Sequence, residues 1–458
     1  MTSEFITTKK SSSETSFLAK LFVWSILLHP LLFFDIAHEH LIGIGGQIAK
    51  ILDLIVCLCV FFCFIFFKSY TIKIDLNTRL YWIYFFYTIV VGLFGFLFGY
   101  YSVNESSFIT SGHGFFNLRA IRPVTEYVIT IFYFVYFVVL GAHFLSNDRT
   151  INYFFKIFFF LFYANLILGF LDLFFTYFYN IDLVPVSLIR DSTTSIRFHG
   201  LAGEPRDAFV YLIFGIGMIY LYDAWKMQKK QRPILISSSI LAIMLTASVS
   251  GIIGLIISIV FFVFYSISTF NSKKILMIMT ISFIILILIY LNVRYGYNRY
   301  ASYLHELPGL FNNLRSNADM SNVIFLGQLP NIYPLFARYL ELSELNILPT
   351  FFGTGIGSES IININFIRPS DNVLNPHSQA IRLFYSSGII GSILYVMAFF
   401  LPVYKISKKY KSEVFIYLVL LILGVSLGHR SVVVFIFLGV FLAVFKQLSK
   451  NLKKIETY

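Results

Sequence analysis

The chain has 458 residues, 58% of them apolar and only 13% charged, with a mean hydropathy of +0.78. Soluble domains carry about 25% charged residues, so a soluble enzyme, a disordered scaffold and a disulfide-rich secreted module are excluded. The net charge is nevertheless +12, from 35 Lys and Arg against 23 Asp and Glu.

Residues 1–16 are polar and rich in Ser and Thr, and read as a cytoplasmic tail. Apolar segments follow at 17–36, 48–67, 80–99, 124–145, 157–178, 207–225, 234–249, 251–269, 275–293, 379–403, 412–428 and 431–446. A helix needs about 20 apolar residues to cross ~30 Å of hydrocarbon. The segments therefore predict an all-α, polytopic membrane protein of about twelve transmembrane helices. No small-residue cleavage site follows the first segment, which reads as an uncleaved span. Nine spans occupy 17–293, a large loop 294–378, three more spans 379–446, and a basic cytoplasmic tail 447–458. Residues 234–269 are short for two crossings; the expected break is Ser248-Val249-Ser250-Gly251, and one long tilted helix is the alternative. Cys57, Cys59 and Cys63 share one apolar run with no companion ligand cluster, so inert thiols are expected rather than a metal site.

The positive-inside rule orients the spans. With the N-terminus inside, the inner segments hold 22 cations, 19 of them Lys. Of the 13 outer cations Lys50 is the one lysine; the rest are arginines, including Arg119, Arg122, Arg190, Arg197, Arg206, Arg338, Arg368 and Arg382. Orientation has no use for arginine outside. A guanidinium is a permanently charged planar fork that grips phosphate in two places. The outer face thus suits a phosphate or diphosphate ligand; pairing with outer carboxylates or lipid headgroups is the alternative.

Two outer connections are long, 179–206 and 294–378. The second contains a helix-like stretch, Ile332 to Leu345, and a glycine-rich turn, Gly353-Thr354-Gly355-Ile356-Gly357. Loops of that length are usually functional. Three outside-to-inside spans open on proline beside a basic residue: Arg122-Pro123, Glu204-Pro205-Arg206 and Asn375-Pro376-His377. Proline suits the first helical turn, where its missing N–H costs nothing. Helix N-termini aim free N–H groups and positive dipole ends outward, which favours anions; ordinary interfacial capping is the alternative. Asp35, Asp53 and Asp172 lie within or near spans, either as functional acids or as hydrogen-bond partners of tyrosines.

The stretch Arg197-Phe198-His199-Gly200-Leu201-Ala202-Gly203-Glu204-Pro205 resembles the R-x-x-G-x-x-x-E-P motif of bacterial O-antigen polymerases of the Wzy type. The turn at 353–357 is similar to the glycine turn late in that family's large periplasmic loop. His377-Ser378-Gln379 with Gly388-Ile389-Ile390-Gly391 resembles the start of its next span. The likeness covers about residues 190–440, and Glu204-Pro205 sets the chain apart from the related O-antigen ligases, which usually carry Asn-Pro-Asn-like residues there. Ser378 stands where the family commonly has Asn.

The resemblance implies a GT-C-like fold and a metal-independent glycosyl transfer at the periplasmic face of the bacterial inner membrane. Donor and acceptor would be glycans on undecaprenyl diphosphate, with lipid diphosphate leaving. Membrane lipids and a polysaccharide chain-length regulator are the other expected partners; nucleic acid and cofactors are not expected. Diphosphate is a good leaving group and needs charge stabilisation more than protonation. Arg197 and Arg206 are expected to contact it, with Arg382 and Arg338 behind them, and Arg119 and Arg122 to hold a second lipid diphosphate. His377 is the expected general base, with Glu204 and His199 as alternatives. A lipid-linked oligosaccharide flippase or other transporter is the contrasting reading.

Overall fold

Apolar chain inside lipid must satisfy its backbone polar groups within the segment, which leaves the helix as the local solution for single spans. The computed structural model describes residues 17–31, 48–66, 78–97, 122–184, 197–203, 205–226, 233–246, 347–357, 379–410 and 432–456. Their regular structure is all helical: α1 (Phe17–Leu28), α2 (Ile48–Phe66), α3 (Arg79–Leu97), α4 (Arg122–Tyr133), α5 (Gly141–Phe144), α6 (Asp148–Tyr179), α7 (Pro205–Lys226), α8 (Pro233–Leu245), α9 (Ile347–Phe352), α10 (Gln379–Tyr410) and α11 (Val432–Glu456). A π-helical segment, Phe134–Leu140, joins α4 to α5, and a one-turn 3-10 helix covers Gly200–Ala202. Among the described residues five helices are long and apolar enough to cross a membrane: Arg79–Leu97, Pro123–Phe144, Asp148–Tyr179, Asp207–Lys226 and Val432–Ser449. The protein is a helical membrane protein. The segments expected at 251–269, 275–293 and 412–428, and Ile332 to Leu345, lie outside the described residues.

Several helices overrun their apolar cores. α6 begins at Asp148, nine residues before the expected span at 157–178. Its start is set by a cap and not by hydropathy: the Asn147 side chain accepts from the Arg149 N–H at 3.0 Å. It ends on Asn180 in the left-handed region (φ 55°), whose N–H bonds to the Thr176 carbonyl while the Ile181 N–H reaches Phe175. At 1.5 Å per residue its 32 residues extend about 48 Å, longer than the hydrocarbon layer. α10 runs past 403 to Tyr410, and α11 past 446 to Glu456, so the basic segment at 447–456 continues a helix.

Aromatic interdigitation fixes the levels of neighbouring helices. α7 runs antiparallel to α6: Phe155 meets Trp225 (centroids 5.6 Å), Phe158 meets Phe214 (5.8 Å), and Phe162 meets Tyr211 (5.7 Å). At one end the Trp225 indole N–H donates to Gln447 Oε1 (2.8 Å), and Gln447 Nε2 donates to the Leu145 carbonyl (3.0 Å). The ammonium of Lys226 lies beside this knot, 4.0 Å from the centre of the Trp225 ring. From that level α7 climbs 22 residues to Pro205, and the Pro123–Phe144 span 22 residues to Pro123. Each covers about 33 Å. The proline starts of both helices therefore lie at the same end of the bundle, opposite Lys226.

Candidate functional site

At that end the segment 197–203 lies against the outer turns of α6. α6 is rich in Phe and Leu, but Asn165, Gly169 and Asp172 share one face at i, i+4 and i+7. Asn165 Oδ1 accepts from the Leu201 N–H at 2.8 Å. Gly169 leaves room for the Phe198 ring, which a β-carbon there would strike. Asp172 Oδ1 accepts from the Leu183 and Val184 N–H groups (2.7 and 2.8 Å), folding 181–184 back onto the helix. Its second oxygen, Oδ2, lies 3.0 Å from His199 Nε2, with both side chains buried. The Phe198 N–H reaches the Leu245 carbonyl at the end of α8 (2.9 Å), filling one of the acceptors a helix end leaves open.

These contacts hold Arg197 half-buried at the head of the segment, next to the residue that docks on the end of α8. Of the two readings of Asp172, the tyrosine bond is not what the structure shows: its partners are His199 and two backbone amides. His199 is itself buried, and its Nε2 faces a carboxylate and therefore carries the hydrogen, while Nδ1 is 3.3 Å from the Gly200 carbonyl. That arrangement braces the segment instead of presenting a free base to solvent. Asn165 Nδ2 is buried with no hydrogen-bond partner among the described residues, a spare donor beneath the same segment.

A second cluster joins three features that the sequence analysis treated apart. The turn at 353–357 lies on the first third of α10, which kinks at Gly388 (φ 63°, ψ −168°). The Gly355 N–H donates to the Ser386 carbonyl at 2.9 Å. Gly353 (φ 86°) and Gly388 meet backbone to backbone: a β-carbon on either would come within 2.5 Å of the other strand of chain. Gly357 abuts Pro123 Cα and the Glu126 side chain at the start of α4. From α3 the Tyr87 hydroxyl donates to the Phe352 carbonyl at 2.8 Å, with the Ser387 carbonyl at 3.0 Å, while the Tyr84 hydroxyl and Ser387 Oγ are 3.0 Å apart. Glu126 and Thr354 are buried inside this junction.

Among the other expected site residues, Arg122, Arg206 and Arg382 fall in the first turns of α4, α7 and α10, with side chains outside the described residues. His377, Glu204, Arg119 and Arg338 also lie outside the described residues. Among the described residues no group of three or more His, Cys, Asp or Glu is placed to hold a metal ion. Compared with known proteins, the chain matches no family model and no curated sequence. The site therefore stands on its own residues: a braced arginine segment on α6 and α7, and a glycine junction on α3, α4 and α10.

The polar stripe of Asn165, Gly169 and Asp172 went unread in the sequence, although its spacing in so apolar a helix was the available signal. The docking of Glu126 beneath Gly357 joins residues more than 200 positions apart and left no local trace.

Proposed function

We propose that the protein is a lipid-linked polysaccharide polymerase, an inner-membrane glycosyltransferase of about twelve spans acting at the periplasmic side. Its substrates are oligosaccharide repeats, of an O-antigen or a related surface polysaccharide, carried on undecaprenyl diphosphate. The observation that carries the reading is the buried Asp172–His199 contact, which fixes the segment headed by Arg197 at the end of the bundle opposite Lys226. Holding a guanidinium in place is what diphosphate stabilisation requires, because donors fixed before the reaction need no reorganisation during it. The ordered motif likeness at 197–205, 353–357 and 377–391 supports the same choice.

In this reading the acceptor hydroxyl attacks the anomeric carbon of the donor sugar. The bond between that carbon and the diphosphate oxygen breaks, and lipid diphosphate leaves with the electron pair. His377 takes the hydroxyl proton. Arg197 and Arg206 balance the charge gathering on the leaving group, with Arg382 and Arg338 further out, and Arg119 and Arg122 hold the acceptor's diphosphate. Glu204 is the second candidate for the proton. No metal is assigned a role.

Arg197→Lys and His377→Ala test these assignments in cells lacking the native chain. Arg197→Lys keeps the charge but loses two-point geometry, and is expected to shorten and deplete the polymer at normal protein level. His377→Ala is expected to abolish it. Unaltered polymer from both variants would remove the arginine and the base from the mechanism.

A further inference from the structure

Asp53 is an acid placed where acids are expensive. The exposed side of α2 is apolar, with Leu54, Ile55, Leu58, Phe61, Phe62 and Ile65 turned outward, while Asp53 is 3% exposed and faces the bundle. There its Oδ2 lies 2.6 Å from His29 Nε2, beyond the end of α1. The other oxygen, Oδ1, is buried with no hydrogen-bond partner among the described residues. A carboxylate has about four acceptor sites, and a buried one left unfilled is costly.

The surroundings are organised around this pair. The His29 ring stands edge-on to Phe137, with centroids 5.0 Å apart and planes at 89°. Phe137 belongs to the π-helical segment, a winding that recurs at functional sites. It is residue fifteen of the 22-residue Pro123–Phe144 span, well inside the hydrocarbon. Ser25 Oγ donates to the Phe22 carbonyl at 2.9 Å, so at 2.7 Å it accepts from the Tyr136 hydroxyl. The Asp53 carboxylate acts electrostatically on Tyr133, Tyr136 and Cys57, and the Tyr136 hydroxyl also lies within hydrogen-bonding range of it. Those three are uncharged at neutral pH, and Lys50, one turn up α2, is exposed. Among the described residues His29 is thus the side chain in direct contact with the carboxylate.

We propose that the His29–Asp53 pair is a membrane-embedded proton-binding site, with Asp53 Oδ1 the atom that takes the proton. On uptake an O–H bond forms at Oδ1, the carboxylate becomes a neutral acid, and Oδ2 keeps its contact with His29 Nε2. The Tyr136 hydroxyl adjoins the site, and the proton comes from water. The site is separate from the arginine end and does not depend on the glycosyl-transfer reading.

Infrared spectroscopy of the full chain in phosphatidylcholine vesicles, titrated through acid and neutral pH, tests it. A protonated-carboxyl band is expected that disappears in Asp53→Asn. In His29→Gln the band should move in frequency, because the carboxyl loses its 2.6 Å contact with Nε2. Tyr136→Phe, which keeps the ring and its packing, should shift the band's frequency. A spectrum identical in wild type and folded Asp53→Asn would overturn the proposal. Should Asp53→Asn fail to fold, a wild-type spectrum with no carboxyl band that responds to Tyr136→Phe overturns it equally.

Discussion

Gly388 shows how much one missing β-carbon decides. Its positive φ costs an L-residue about 1–2 kcal/mol, and the backbone of α9 occupies the space a side chain would need. Overpacking adds about 1–3 kcal/mol. Gly388→Ala is therefore expected to lower the melting temperature and the yield of folded protein in detergent. Gly92→Ala, in α3 with open space around it, should change neither. Equal effects would refute the close approach. Asp172 is a second decisive residue, since it serves two amides and an imidazole at once. Leaving a buried donor unsatisfied costs about 1–3 kcal/mol. Asp172→Ala, which strands the Leu183 and Val184 amides, should lower the melting temperature clearly, and Asp172→Asn, which keeps an acceptor for both, markedly less. Indistinguishable melting curves for the two variants would show that the amide bonds contribute nothing. The sequence marked Arg197, Gly353 and Gly388 through their motifs. It could not reveal Asp172 as the partner of His199, because that contact depends on how 181–203 folds back over α6.

At the scale of elements, helix positions were largely legible because lipid leaves an apolar run few alternatives. Boundaries were less so. α6, α10 and α11 extend beyond their apolar runs, where caps and helix continuation, not hydropathy, set the ends. The π-helical winding at Phe134–Leu140 was invisible in the sequence, since its residues are as apolar as their neighbours. The junction of α9 with α10 depends on few polar contacts, of which the Tyr87 hydroxyl makes two. Tyr87→Phe should cost about 1 kcal/mol and make the 347–357 region more open to limited proteolysis. Cleavage at the wild-type rate would mean that the glycine contacts hold the junction alone.

For the whole molecule, the +12 charge divides into two roles. Lys226 and the Trp225–Gln447–Leu145 knot mark the end where the positive-inside rule puts the lysines. Arg122, Arg197 and Arg206 fall at the opposite end, the first and last of them at the starts of α4 and α7. Loop counting suggests this separation, and the levels set by aromatic contacts between α6 and α7 put Lys226 and these three arginine positions at opposite ends. A scaffold has no need of it. A transporter would be expected to place its polar groups at mid-membrane between matching halves, and the His29–Asp53 pair is the feature that resembles that case. The most direct discrimination is to give the purified protein a single synthetic repeat unit on undecaprenyl diphosphate and resolve the products by size. The account predicts a ladder of lengthened glycans and release of lipid diphosphate, both undiminished by EDTA. Recovery of unchanged substrate, or transfer solely to an added lipid A-core acceptor, would contradict it.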